Sequence, residues 1–446
     1  QSTVSYQSSK LKSVCDAKIC ATVPLSVGQQ GIWIDDELSN HTNAKYNIEA
    51  TYEITDDRIT VKFLTEAIQL LVNRHHSLRT VFDRNEHGEI VQIVKPLLVD
   101  TVNDTPVLVL HALPIEASID SELTRFLCQK FDLNKPKPFF VSHFITVTGR
   151  PRVLCMIFHH VIVDGWSIAV LIRELNQILQ AFIDKKDPSE GLAPVHCQFH
   201  QYVANLNPKM WDADIAYWKE KLSNGAMNFA CLPSDHQTDS DISGATFVRD
   251  IPPVLVHLLQ SSCQSIDATP FMILLAMFDV LLARCTTCWG DIVVAAPVFN
   301  RPYSEIENTV GLFVNVLLMR VDLSADPTFY ELMINVKRTV LEAFEHQESP
   351  LTHVTSQLEH LERDSHIPQL FQVLFAYQNV GEIVSTNLLH KIPVTNPIAK
   401  CDLEVHVWEN KQGALSIHAQ YRKKVFKAST IERLIDQWML LLDAAS

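Results

Sequence analysis

The sequence lacks the features of several large functional classes. No run of basic residues occurs, and the 446-residue chain carries a net charge of -14, so nothing favours binding to nucleic-acid phosphates. The longest apolar run, residues 271–283, is interrupted by Asp279 and is too short to cross a bilayer. The N-terminus does not have the charged-then-apolar layout of a signal peptide. We therefore expect a cytoplasmic protein with no nucleic-acid or membrane partner.

Motifs for cofactors, metals and covalent catalysis are also missing. The chain has no glycine-rich phosphate loop, which argues against a nucleotide cofactor, and no G-x-S-x-G turn to present a serine nucleophile. Its 10 cysteines are spread along a long chain, unlike those of a small disulfide scaffold. Cys285 and Cys288 have C-x-x-C spacing, but no second pair completes a zinc site. We predict that no metal is bound.

The composition and the hydrophobic patterns predict a two-lobed mixture of helices and strands. The chain is 47% hydrophobic and 20% charged, as globular proteins are, and it is too long for one simple core. Helical and strand patterns occur in both halves, which predicts an α/β or α+β fold. The predicted divisions are a linker or cut edge (1–22), an N-terminal lobe (23–184), an inter-lobe linker rich in charge, Pro and Gly (185–194), and a C-terminal lobe (195–446).

The stretch "IFHHVIVDGWSIAV", residues 157–170, holds the strongest candidates for chemistry. It is predicted to be a strand, a short loop containing Asp164 and Gly165, and a helix for which Ser167 is the expected N-cap. Side chains alternate across a strand, so we expect His159 to face the core and His160 to face a cleft. A neutral imidazole suits general-base work because its pKa lies near the working pH.

Two questions stay open at the level of these residues. A single histidine at the end of an apolar strand is more often a buried structural residue than a base. Asp164 has two possible roles, since it could orient the imidazole, as in a catalytic triad, or form a buried ion pair that fixes the loop. The missing nucleophile favours direct transfer between two substrates over a covalent enzyme intermediate.

The segment "FHHVIVDGWS" resembles the H-H-x-x-x-D-G motif of condensation domains from nonribosomal peptide synthetases. Further segments resemble others of that family, occur in the family's order, and extend the resemblance over about residues 24–445. They are "LSVGQQGIWIDD" (25–36), "RHHSLRTVF" (74–82), "DIVVAAPVFNR" (291–301), "VGLFVNVLLMR" (310–320) and "AKCDLEVHVWE" (399–409). His76 departs from the pattern, because the family usually has Glu there.

The resemblance implies both a fold and a reaction. The fold would be two lobes of the chloramphenicol-acetyltransferase type, arranged as a V-shaped pseudo-dimer with a central tunnel. An upstream carrier protein would present an acyl or peptidyl donor as a phosphopantetheine thioester, and a downstream carrier an aminoacyl acceptor. The acceptor amine would attack the thioester and form an amide. No cofactor would be bound directly, and neighbouring synthetase domains would be partners.

The resemblance also implies roles for single residues. His160 is the expected catalytic residue, as a base or by positioning the amine, with His159 as its support. Gly165 would offer a backbone N–H near the developing oxyanion.

A second group of residues is expected to support the motif. Asp164 would be mainly structural, with Arg301 as its most plausible partner, and Ser167 would cap the helix. Asn315 would organise backbone near the tunnel.

Three alternatives remain open from the sequence. One is a terminal condensation-type domain that releases product by macrocyclisation or ester formation. Another is a coenzyme A-dependent acyltransferase, although the D-F-G-W-G motif of plant-type members is missing. The last is a non-catalytic platform that binds carrier proteins, which the intact His160 and Asp164 argue against.

Overall fold

The computed structural model describes most of the chain as two packed lobes of mixed helix and sheet. The described residues are 21–38, 44–96, 108–114, 116–133, 140–147, 152–223, 232–236, 241–286, 290–356, 371–378, 386–410 and 412–445. The predicted leading segment 1–22 therefore lies almost wholly outside them, as does Cys288 of the C-x-x-C pair.

The first lobe is built on a five-stranded sheet. Its strands, in spatial order, are β12 (Leu389–Lys391), β2 (Asn47–Ile54), β7 (Arg152–His159), β6 (Phe140–Val147) and β5 (Val109–Leu113). All neighbours pair antiparallel except β5 and β6. A separate three-stranded sheet contains β1 (Thr22–Pro24), β4 (Ile90–Val94) and β3 (Thr80–Arg84), and β3 and β4 form a hairpin around the polar stretch "DRNEHG".

Four helices cover this lobe. They are α1 (Val27–Leu38), α2 (Val61–Arg74), α3 (Ile119–Leu127) and α4 (Gly165–Asp184). The apolar stripe of α4 is fully buried at Leu171, Leu175, Ile178 and Leu179, which explains why a helix follows the motif. Thr60 begins α2 as an N-cap, since its side chain accepts a hydrogen bond from the N–H of Phe63.

The second lobe is built on a six-stranded sheet. The spatial order of its strands is β10 (Asn315–Asp322), β9 (Asp291–Val298), β11 (Val373–Gln378), β13 (Leu403–Glu409), β14 (Leu415–Arg422) and β8 (Gly244–Asp250). The longer helices packed with it are α6 (Asp212–Ser223), α7 (Pro253–Ser265), α8 (Pro270–Cys285), α9 (Phe329–Glu345) and α11 (Ala428–Ala445). This lobe also contains the short helices α5 (Phe199–Ala204) and α10 (Leu351–Ser356) and the 3-10 turns Pro208–Trp211 and Ser304–Ile306.

The run 271–283 forms most of α8, a helix buried nearly all round inside the second core. Across the described ranges, no single helix is long and apolar enough to span a membrane. Only α7 and α8 taken together reach that length, and they are bent by 105°.

A small apolar cluster lies beside the two cores, and one strand from the second half of the chain joins the sheet of the first lobe. Cys197, Phe199, Leu312 and Phe313 belong to a separate cluster beside the motif helix. The three-residue β12 comes from the second half of the chain but pairs with β2, and its Leu389 is buried in the first core. The division at 185–194 stays a prediction.

Candidate functional site

The two motif histidines lie at the end of the central strand of the first lobe. His159 ends β7 opposite Asn47, and it is buried against the rings of Tyr46 and Phe131. Its Nδ1 accepts a hydrogen bond from the N–H of Val161 at 3.2 Å, which makes it part of the turn's framework. His160 lies one residue beyond the strand, where its backbone N–H donates to the carbonyl of Tyr46 at 2.8 Å.

The imidazole of His160 is partly exposed and is held neutral at physiological pH. Burial lowers its pKa to about 4, the charge of Lys400 lowers it further, and the carboxylate of Asp164 opposes both. Burial also lowers the pKa of His159, to about 3. In the described part of the chain, Nδ1 of His160 is buried without a protein hydrogen-bond partner. A neutral His160 can accept a hydrogen bond, but it is a weak base.

The carboxylate of Asp164 accepts hydrogen bonds from backbone N–H groups of both lobes. Its Oδ1 accepts from the N–H of Ser167 at 2.8 Å, and its Oδ2 accepts from the N–H groups of Phe313 and Val314 at 3.0 and 3.3 Å. It is completely buried and is the N-cap of α4. Among the described residues, Asp164 makes no hydrogen bond to the His160 ring, so the geometry resembles a structural anchor more than a triad.

Arg301 pairs with Asp164 across the junction of the lobes. Its Nη2 lies 3.2 Å from Oδ1 and 3.3 Å from Oδ2, and both side chains are nearly inaccessible. Nη1 donates to the carbonyls of Ile306 and Thr309, and the guanidinium lies 4.1 Å from the ring centroid of Phe313. The ion pair that sequence reasoning proposed is therefore present, and it fixes the start of α4 to the second lobe.

Ser167 is not the N-cap that the sequence suggested. The N-cap is Asp164, a residue type that caps helices as well as Ser does, and Ser167 is the third residue of α4. The Ser167 hydroxyl instead bridges the lobes: it lies 2.8 Å from the carbonyl oxygen of Gly311 and accepts from the Gly311 N–H at 3.0 Å. A Cβ on Gly311 would lie 2.3 Å from the ring of Phe199, so this position has no room for a side chain.

Gly165 is the first residue of α4 and is exposed. The N–H groups of a helix's first turn have no partner within the helix, and they carry the positive end of its dipole. A Cβ on Gly165 would meet no atom within 4 Å, and its φ is not in the left-handed region. The backbone at this position therefore does not require glycine, and what distinguishes the position is open space beside a helix N-terminus.

Asn315 organises backbone, as expected, but its partners lie in the loop between α9 and α10. Its Nδ2 donates to the carbonyls of Gln347 and Ser349 at 2.8 and 2.7 Å, and its Oδ1 accepts from the N–H of Leu351 at 3.2 Å. These bonds hold the loop against the first residue of β10, two residues after Phe313, whose N–H binds Asp164.

One supporting residue was missed by sequence reasoning. The buried Gln29 donates from Nε2 to the carbonyl of Val161 at 3.0 Å and so holds the turn after the histidines. Ser26 and Gln29 also exchange two backbone-to-side-chain hydrogen bonds at the start of α1. This is a capping box, whose S-x-x-Q spacing is readable in the sequence.

The groups gathered at this site suit acid–base chemistry and positioning. They are a neutral imidazole, the N-terminus of a helix, and a buried ion pair that fixes both to the second lobe. Within the described ranges, no group of three or more His, Cys, Asp or Glu side chains could hold a metal ion.

Comparisons with a family model and with curated proteins place the chain among condensation domains and peptide synthetases. The family model described as "Condensation domain" matches residues 20–446. One of the linear gramicidin synthase proteins of Brevibacillus parabrevis is 33% identical over 442 residues, which cover 95% of this chain and 8% of that protein. Enniatin synthetase from Fusarium oxysporum is 29% identical over 426 residues, covering 94% and 13%. The chain thus spans only a small part of the length of these relatives.

Solved structures share the fold. A four-domain nonribosomal peptide synthetase bound to AMP and glycine superposes with a TM-score of 0.82 at 21% identity, over 97% of this chain and 33% of that one. The condensation domain from the Monacolin K polyketide synthase superposes with a TM-score of 0.76 at 18% identity, over 95% and 97%.

Proposed function

Because the chain belongs to the condensation-domain family and has its chloramphenicol-acetyltransferase-like fold, we propose that it transfers a carrier-bound acyl or peptidyl group to an amine. The observation that carries the proposal is the neutral, partly exposed His160, which lies beside the N-terminus of α4 at the junction of two lobes. This arrangement supplies a hydrogen-bond acceptor and an oxyanion donor without a nucleophile.

In the proposed reaction, the acceptor nitrogen attacks the thioester carbonyl carbon, the C–S bond breaks, and the products are an amide and the donor's free thiol. The nitrogen loses one proton, and the departing sulfur gains one. Since the pKa of His160 is about 4, we assign it mainly a positioning role: its ring accepts a hydrogen bond from the amine and aims the lone pair at the carbonyl.

The N–H of Gly165 is the proposed donor to the carbonyl oxygen as that oxygen becomes negative. Its place at the first position of α4 adds the favourable field of the helix dipole. Asp164, Arg301 and Ser167 are assigned to holding this helix end against the second lobe. The N–H groups of Phe313 and Gly311 donate to Asp164 and Ser167, and the guanidinium of Arg301 donates to the Ser167 hydroxyl. His159 and Asn315 support the turn and the neighbouring loop.

The proposal includes the expected surroundings of such a domain. The substrates would be carried on phosphopantetheine arms of an upstream and a downstream carrier protein, entering a tunnel between lobes 23–184 and 195–446. Neighbouring synthetase domains would be further partners, in keeping with relatives many times longer than this chain. A cytoplasmic location belongs to the same proposal.

The experiment is reconstitution with separately loaded carriers. A donor carrier bearing an acyl-aminoacyl thioester and an acceptor carrier bearing an aminoacyl thioester are mixed with the protein, and condensed product is followed by mass spectrometry. His160→Ala should reduce product formation at least about a hundred-fold, in the range of a lost general base or positioning group. Its melting temperature should stay near that of the wild type, since the ring's buried Nδ1 has no described protein partner.

Other outcomes identify the alternatives. Equal turnover by His160→Ala would remove His160 from the reaction. Cyclic or ester products would indicate a terminal, releasing domain. Turnover of acyl-coenzyme A without carriers would indicate a free acyltransferase, and carrier binding without any product would indicate a platform.

A further inference from the structure

One face of the second sheet carries a band of polar and aromatic side chains. Along β13, residues 403, 405 and 407 point into the core, so their neighbours Glu404, His406 and Trp408 point the other way. Across the antiparallel pair with β14 their partners are Gln420, His418 and Ser416. We call these six residues the β13–β14 wall.

Three flat rings form the open end of this wall. The rings of His406 and Trp408 are stacked with a 22° interplanar angle and a 6.5 Å centroid separation, and His418 meets Trp408 edge-on at 6.2 Å. The side chain of His406 is 24% exposed, and Trp408 and His418 are also partly exposed. The other end is closed, because the amide of Gln420 donates to the carbonyls of Asn396 and Ile398.

Glu404 favours one tautomer of His406 in the wall. It is buried, it accepts the backbone N–H of Lys400 at 3.0 Å, and its Oε2 faces Nε2 of His406 at 3.5 Å. A carboxylate on that side favours the imidazole tautomer with hydrogen on Nε2 and leaves Nδ1 as an acceptor. Within the described residues, Nδ1 of His406 is buried without a protein partner.

The wall lies close to His160 through the segment that precedes β13. The charge of Lys400 acts on both His160 and Glu404. The contacts of this segment run the same way: the N–H of Ile392 donates to the carbonyl of Thr51 on β2, whose first residue pairs with His159, and the carbonyls of Asn396 and Ile398 accept from Gln420 of the wall. A substrate held at His160 therefore approaches the wall from its Glu404 end, and a side chain that extends along β13 meets His406 before Trp408.

We propose that the β13–β14 wall binds an aromatic side chain of the substrate, by stacking on Trp408 and His406. This inference rests on the proposed function and names the class of side chain that the site selects. Aromatic faces favour offset or edge-on partners, which a flat ring satisfies and an aliphatic chain does not.

The ring could belong to the donor or to the acceptor, and the test separates them. The probes are N-acetylcysteamine thioesters of phenylalanine, tyrosine and leucine, prepared with a free amine to mimic the acceptor and N-acetylated to mimic the donor. Binding is measured by calorimetry, without any turnover, on the wild type and on Trp408→Leu. Tyr330→Leu on α9, which is 65% exposed and far along the chain, is the matched aromatic control.

In one of the two probe series, the phenylalanyl and tyrosyl probes should bind about ten-fold tighter than the leucyl probe. Trp408→Leu should remove that preference and leave leucyl binding unchanged, while Tyr330→Leu preserves it. Equal binding of aromatic and leucyl probes by the wild type, or an unchanged preference in Trp408→Leu, would overturn the proposal. If Trp408→Leu does not fold, His406→Leu takes its place, and loss of the tyrosyl preference is then expected.

The same probes distinguish failure of the wall proposal from failure of the proposed function. Aromatic preference in binding together with no condensation from loaded carriers would reject the proposed function and retain the wall. Condensation with no aromatic preference in binding would retain the proposed function and reject the wall as a binding site.

Discussion

At the scale of single residues, the pair of Asp164 and Arg301 is the interaction whose loss should cost most. Asp164→Asn would leave the guanidinium buried without its counter-charge and would weaken five contacts to the carboxylate. Breaking one side of a buried ion pair costs about 3–5 kcal/mol. We expect both Asp164→Asn and Arg301→Ala to lower the melting temperature by several degrees, measured by scanning calorimetry. Normal melting of both variants would show that the pair is not a structural anchor.

Two glycines of the site should respond in opposite ways to the same substitution. Gly311→Ala places a methyl group 2.3 Å from the Phe199 ring and should destabilise the lobe junction by about 1–3 kcal/mol. Gly165→Ala meets open space and should melt like the wild type. If the substrate passes over the start of α4, Gly165→Ala should nonetheless lower kcat/KM. Melting curves of both variants and turnover by Gly165→Ala test these expectations. A Gly311→Ala variant as stable as the wild type would contradict the tight contact with Phe199.

The candidate site shows what a sequence can and cannot give at this scale. The pairing of Asp164 with Arg301 was predictable, because the motif and the ordered segments around it are specific, whereas the catalytic role of His160 stays a prediction. The cap was assigned to Ser167 and not to Asp164, since both residue types favour an N-cap and only the backbone decides. The tight contact between Gly311 and Phe199 joins two segments that are far apart in the sequence, and local patterns do not encode such a contact.

At the scale of elements, α8 contains a group that opposes folding. Both carboxyl oxygens of Asp279 are buried without a protein partner in the described part of the chain, and burial raises its pKa well above 3.8. The folded state therefore keeps a proton that the unfolded chain releases above pH 3.8. Stability falls as the pH rises from that value toward the folded pKa, by at most about 1.4 kcal/mol per pH unit.

Asp279→Asn has nearly the same volume and does not titrate. The variant should unfold at a higher temperature than the wild type at pH 8, and the difference should shrink toward pH 5, as measured by melting curves across that range. Asp267→Asn, an exposed carboxyl paired with Lys337, serves as a control because its pKa is lowered instead of raised. A pH-independent difference between Asp279→Asn and the wild type would mean that Asp279 is not protonated in the fold.

Elements with strong local patterns were predictable to within a few residues. The strand β9 and the helix α9 can be read from the sequence, because β9 is a short continuous apolar run and α9 carries a helical apolar stripe along its length. The strand β12 could not be predicted, because three residues are too few to show an alternating pattern. Its partner β2 also lies far away in the sequence. Tertiary partners, and not local preference, make this strand.

At the scale of the whole molecule, β12 ties the two halves of the chain together. Leu389→Ala removes a fully buried side chain from the first core and should cost about 2–5 kcal/mol. Although the residue belongs to the second half of the sequence, the loss should appear in β2, as faster amide hydrogen exchange over Asn47–Ile54. His390→Ala, at the exposed neighbouring position, should leave exchange unchanged. Faster exchange confined to the six-stranded sheet would contradict this coupling.

The position of β12 also bears on how the protein is made. Leu389 is synthesised about 230 residues after His159, so at 5–20 residues per second the edge of β2 waits on the order of ten to fifty seconds for its partner. During that interval the nascent first lobe presents an unpaired strand edge, the kind of surface on which chains aggregate or chaperones act. Completion of the sheet that carries the motif histidines therefore waits until most of the second lobe has been synthesised.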